Sequence, residues 1–149
     1  MTKLETLYDD LHVAGIAVND YQISDTKKAA CIKVGGVRTI ALNKSALETQ
    51  SEELVVLGEE HSHYETGTLR LLTGDYNSVQ NRINRIADEA RARRYNIERL
   101  IPIDELLAGM NTCVNADGIM LDELAELLEI TEELLYWSLE YYSGLGYKW

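Results

Sequence analysis

The sequence predicts an α+β fold: a small antiparallel sheet of about three strands, packed with a buried helix and further helices, and a helical C-terminal end. Three observations carry this expectation. β-prone runs cluster between residues 16 and 42. Gly35-Gly36 separates the last two runs, as in a hairpin turn. From Thr49 onward, apolar residues recur mostly at helical spacing. A chain of 149 residues with 46% apolar residues is long enough for one cored domain, with room for a small appendage.

Leu4, Leu7, Tyr8 and Leu11 predict a helix over 3–14, with Gly15 as its stop. Strands follow at 16–23, 29–34 and 37–42. Thr49 and Glu52, three residues apart, form a capping-box pattern, so a helix should run from there to about Tyr64 and end at Thr66-Gly67. Leu54, Val55, Val56 and Leu57 cover nearly its whole circumference, the mark of a central, buried helix. Residues 68–78 read as a loop. A long helix over 79–100 has Ile83, Ile86, Ala87, Ala90 and Ile97 as its expected core stripe. Pro102 ends that helix nearby and suits the first turn of a short one, closed by Gly109. A second loop spans 110–118. Helices over 119–129 and 132–143 complete the chain, with Thr131 as the cap of the last. The expected division is a domain over 1–109 and a small helix-turn-helix-like extension over 110–149.

The charge pattern narrows the partners. The net charge of −11 argues against a general nucleic-acid binder. Arg82, Arg85, Arg91, Arg93, Arg94 and Arg99 place six of fourteen cations on one helix, where they compensate the acidic remainder. From Leu100 to Tyr147 there is no Lys or Arg. The last two helices would therefore repel a phosphate backbone and serve for packing or protein docking. No apolar run approaches the ~18 residues of a membrane span, and the first residues lack the apolar stretch of a signal peptide. Isolated Cys31 and Cys113 suit a reducing cytoplasm, as small buried hydrophobes.

The chemistry concentrates in Glu59-Glu60-His61-Ser62-His63. It reads as the zincin helix H-E-x-x-H with glutamate in place of the first histidine. On a helix, i and i+4 share a face, so Glu59 and His63 can hold one metal ion. Glu60 is turned about 100° further round and stands where such enzymes carry their general base. His61, at i+2 from Glu59, should face away. The same five residues could also be the solvated end of an acidic helix. A third ligand is needed, and Glu89 borders the stripe of the next helix. Spacing alone favours an ion pair from Glu89 to Arg85 or Arg93, both at i±4. Tyr64 and Tyr95 are candidate phenol donors to a developing oxyanion.

Three segments in order resemble the ImmA/IrrE-type metallo-endopeptidases, in the form found in phages and mobile elements. Leu57-Gly58-Glu59-Glu60-His61-Ser62-His63-Tyr64 is similar to that family's L-A-[HE]-E-L-G-H-Y. Glu89-Ala90-Arg91-Ala92-Arg93-Arg94-Tyr95 is similar to its E-x-x-A-x-x-[WF], and Leu100-Ile101-Pro102 to the ending that follows. His61-Ser62 stands in place of Leu-Gly, and Asn96 in place of a common alanine. The resemblance implies a zincin-like peptidase domain with metal ligands Glu59, His63 and Glu89 and the base Glu60. It implies one divalent ion, zinc foremost, and cytoplasmic cleavage of a partner protein such as a helix-turn-helix repressor. Two carboxylate ligands almost cancel the ion's charge, weaken it as a Lewis acid and admit manganese or another hard ion. The alternative is an inactive binding or regulatory module of the same fold, with a structural metal or none.

Overall fold

The computed structural model describes residues 1–22, 25–68 and 79–149. The architecture is α+β, as expected. Helix α1 (Lys3–Val13) precedes strands β1 (Ala17–Asp20), β2 (Ala29–Val34) and β3 (Val37–Leu42). Helices α2 (Gln50–Thr66), α3 (Val79–Leu100) and α4 (Ile103–Thr112) follow. A two-stranded ribbon, β4 (Val114–Asn115) and β5 (Gly118–Ile119), leads into α5 (Leu121–Leu127) and α6 (Glu132–Gly144). None of the described helices is long and apolar enough to cross a membrane. Ile23 and residues 69–78, expected as a strand end and a loop, lie outside the described residues.

The sheet differs from expectation in one pairing. β2 and β3 form the antiparallel hairpin turned by Gly35-Gly36, both at positive φ. β1 joins β3 in parallel, so the sheet is mixed, in the order β1-β3-β2. A parallel partner is chosen by contacts remote in sequence, and the local β signals carry no information about it. β2 is left at the edge beside α2, which places Cys31 against that helix.

Helix α2 is the centre of the fold. Thr49 accepts from the Glu52 backbone N–H at 3.1 Å, and Gly67, in the left-handed region at φ 66°, closes the C-terminus. The buried residues Leu54, Leu57, Gly58, His61 and Ser62 form a stripe at i, i+3, i+4, i+7, i+8. Their core is continuous with Leu7 and Leu11 of α1, Ile40 and Leu42 of β3, Ile97 and Leu100 of α3, and Leu134 and Leu135 of α6. Tyr142 of α6 donates to the Ile101 carbonyl at 2.7 Å and ties the last helix to the end of α3.

Three further expectations need correction. Of the expected α3 stripe only Ile97 is buried: Ile83 is 54% and Ile86 71% exposed, and Ala87 and Ala90 are exposed too. The buried face of α3 is Ala92, Asn96, Ile97 and Leu100. The two helices run antiparallel, with Gly58 opposite Asn96 and His63 opposite Glu89. At that register α2 ends near the middle of α3, and the first two turns of α3, about 10 Å, outrun the helix they would pack on. Gly109 does not close α4 but lies inside it, where an added Cβ would meet Leu124 Cδ1 at 2.8 Å. Glycine serves there for close approach of α5. The expected loop over 110–118 contains the β4–β5 ribbon, whose two-residue strands are too short to show alternation.

Candidate metal centre

The site is built where the last turns of α2 cross the middle of α3. His63 Nε2 stands 3.6 Å from Glu89 Oε1. Glu59, one turn earlier on α2, lies in the field of both. Its carboxyl is held above the ordinary value, first by burial and then by the charges of Glu60 and Glu89, while His63 and Arg93 pull it part-way back. The structure thus brings Glu59, His63 and Glu89 to one region, with Glu60 beside them. Among the described residues no three carboxylate, imidazole or thiol groups already stand at metal-holding spacing; the assembled contact is the His63–Glu89 pair. Glu89 pairs across to α2 and keeps 53% of its side chain exposed, so the site is open on that side.

The protons around His63 can be assigned from its hydrogen bonds. Thr66 Oγ1 donates to the Ser62 carbonyl at 2.7 Å, which spends its only proton. The contact between Thr66 Oγ1 and Thr68 Oγ1, 2.9 Å, must then use the Thr68 proton. Thr68 Oγ1 can therefore only accept from His63 Nδ1, 2.9 Å away. The relay fixes the Nδ1–H tautomer, so a neutral His63 turns the lone pair of Nε2 toward Glu89. A lone pair facing a carboxylate is repulsive unless a proton or a metal cation stands between them. That is the orientation a metal-bound histidine needs, with its other nitrogen held by an oxygen.

His61 has the opposite tautomer. Arg99 donates to its Nδ1, so Nε2–H donates to Glu65 Oε1 at 3.1 Å. Arg99 also reaches Asp10 Oδ2 on α1 at 2.6 Å. Burial and the Arg99 charge push the His61 pKa down, keeping it neutral. Both ring nitrogens are spent on these partners, and the ring joins α1, α2 and α3 on the side away from Glu59, as the i+2 spacing requires.

Glu60 points to the sheet. Cys31 of β2 donates its thiol to Glu60 Oε2 at 3.0 Å, with the Glu60 carbonyl 3.3 Å away. Burial first, then the Glu60 charge, pushes the thiol pKa up, so Cys31 is a protonated donor and not a nucleophile. Its expected role as an inert hydrophobe is corrected. Tyr64 is bound to the sheet: its hydroxyl is 3.0 Å from the Ile32 carbonyl and 3.1 Å from that of Thr39. Burial above all raises its pKa to about 12. With its proton spent on the backbone, Tyr64 is an anchor between α2 and the hairpin, not an oxyanion donor. Tyr95 is exposed, and among the described residues no hydrogen bond or ring contact ties it to the site.

Cys31 and Thr68 are the neighbours that motif reading missed. Cys31 and Thr68 come from outside the pentapeptide, and only the fold brings them in. Arg93 was visible as an i+4 partner of Glu89, but its guanidinium lies over the Trp137 ring, 3.8 Å from the centroid. Comparison with protein-family models, with curated proteins and with solved structures finds no match to this chain.

Proposed function

We propose that this protein is a metal-dependent endopeptidase that cleaves a specific partner protein, with Glu59, His63 and Glu89 as metal ligands and Glu60 as general base. The observation that carries the reading is the Thr66–Thr68 relay, which aims the Nε2 lone pair of His63 at Glu89. The donor set suits a divalent cation: two carboxylates, one of them half-buried and raised in pKa by that burial and by its acidic neighbours, and one oriented imidazole. Zinc fits the imidazole, and the two oxygen ligands also admit manganese or another hard ion. The bound ion would supply Lewis-acid polarisation of the scissile carbonyl. Glu60 takes a proton from the attacking water and returns it to the leaving amine, while the Cys31 thiol holds its Oε2 in place. The resemblance of the three segments to ImmA/IrrE-type enzymes points to a cytoplasmic substrate, a helix-turn-helix repressor. The acidic α5–α6 pair supports protein contacts there and not DNA.

One observation favours a second reading. If His63 is protonated at Nε2, it forms an ion pair with Glu89, and with Arg93 acting on Glu59 the same charges become a structural network. The protein would then be a binding module without catalysis.

The experiment that separates the two is incubation with the repressor encoded nearest to its gene, with and without chelator. We expect one discrete cut, seen as two fragments by mass spectrometry, lost with chelator and restored by zinc or manganese. A repressor left intact under every metal condition contradicts the enzymatic reading.

A further inference from the structure

Beyond the catalytic reading, and independent of it, we infer that the uncovered half of α3 and the adjoining α3–α6 groove form a docking site for an acidic amphipathic helix of a partner protein. Residues 79, 83, 86, 90, 93, 97 and 100 of α3 follow an unbroken 4-3 spacing, the seam of a helix that pairs with another helix. The lower part of this seam is already used. Ile97 and Leu100 are buried in the core, and Arg93 lies over Trp137 of α6. The upper part, Val79, Ile83, Ile86 and Ala90, is uncovered, with Val79 and Ile86 each 71% exposed. An apolar seam continued past its own partner has the form of a helix-in-groove surface.

The groove between α3 and α6 continues the seam. Ala87, Ala90, Ile97, Trp137, Tyr141 and Leu145 line it, together with Arg91, Arg93, Arg94 and a single acid, Glu140. Three arginines to one glutamate is the reverse of a chain with 25 acids and 14 bases. Arg91 and Arg94 are exposed and make no ion pair among the described residues. On the α3 wheel Arg94 and Arg91 flank the seam on the side of the groove, and Arg82 and Glu89 stand on the other side. An apolar stripe whose groove side carries Arg91, Arg93 and Arg94 is complementary to a helix with apolar a and d positions and acids along the edge that meets them. A nucleic acid would use the arginines but has no use for Ile83 and Ile86 at helical spacing. A second copy would bring another basic flank against this one.

The test uses the full chain and a synthetic three-heptad peptide with leucine at a and d and glutamate at e and g, labelled for fluorescence anisotropy. We expect saturable binding that weakens with salt. Ile86→Asp should weaken it at least tenfold, and the double variant Arg91→Glu, Arg94→Glu comparably. These side chains are exposed, so circular dichroism should show all variants folded. Four results would each overturn the proposal: no binding of the peptide; equal binding of a version with lysine at e and g; binding unchanged by Ile86→Asp; or a dimer of the protein alone that Ile86→Asp dissolves. Binding of duplex DNA that needs the arginines but not Ile86 would also overturn it and assign the surface to nucleic acid.

Discussion

Glu60→Gln is expected to lower partner cleavage by about 10²- to 10⁴-fold, the usual range for losing a general acid–base group. Bound metal should be unchanged. Glu60 lies beside Glu59, and its Oε2 accepts from Cys31, while the imidazole contact across the helices is made by Glu89. Glutamine keeps the size and an oxygen acceptor for the thiol, and loses only the ability to take a proton. The check is single-turnover cleavage with metal content measured on the same sample. Turnover near that of the parent would place the base elsewhere. Loss of the ion together with turnover would make Glu60 a ligand.

Gly58→Ala is expected to destabilise the protein by up to about 2 kcal/mol, although alanine is the better helix former by about 1 kcal/mol. A Cβ at residue 58 would stand 2.4 Å from Asn96 Oδ1 and 3.3 Å from both Asn96 Cγ and Leu100 Cδ1. Overpacking of this kind costs about 1–3 kcal/mol, and the helix gain offsets part of it. Asn96 is buried, its Oδ1 has no hydrogen-bond partner, and its Nδ2 reaches the Val55 carbonyl only at 3.4 Å. In an Asn96→Ala background both Asn96 contacts are gone and only the flexible end of Leu100, 3.3 Å away, has to give, so Gly58→Ala should become stabilising by up to about 1 kcal/mol. Denaturant unfolding of the four proteins in the cycle checks this change of sign. A Gly58→Ala effect independent of residue 96 would show that the α2–α3 contact is not as described. The pair also bears on function, because this contact sets the register that brings His63 to Glu89.

Gly58 and Asn96 show what could be read before folding. Against the pattern that the three segments resemble, Asn96 stands where alanine is common, and Gly58 stands at the alanine before the motif. The structure makes the two changes one: the larger side chain on α3 fits because the facing residue on α2 has none. Signals that act within one turn of helix were legible. Thr49 and Thr131 do cap their helices, and Gly67 ends α2. The shared face of Glu59 and His63 follows from helix geometry, and so does the turning away of His61. What acts between elements was not legible. The 4-3 spacing of α3 marks an apolar seam but not which half is covered, so Ile83 and Ile86 were expected in the core. β1 carries no mark of its parallel partner. Nothing near Glu60 announces Cys31, and nothing in the motif announces that Thr66 and Thr68 decide the tautomer of His63.

The central claim is that Glu59, His63 and Glu89 hold one divalent ion, and metal content measures it most directly. The protein is dialysed against zinc or manganese at neutral pH, then analysed for bound metal. We expect about one equivalent in the parent and in Glu60→Gln, and loss in Glu59→Ala, His63→Ala and Glu89→Ala, as for a three-ligand site. Affinity should fall as pH is lowered. The Glu59 carboxyl, raised by burial and by its two acidic neighbours, takes up a proton sooner than an ordinary glutamate, and that proton must leave before the ion binds. No metal in the parent, or full metal in all three alanine variants, would contradict the account and leave His63 and Glu89 as an ion pair.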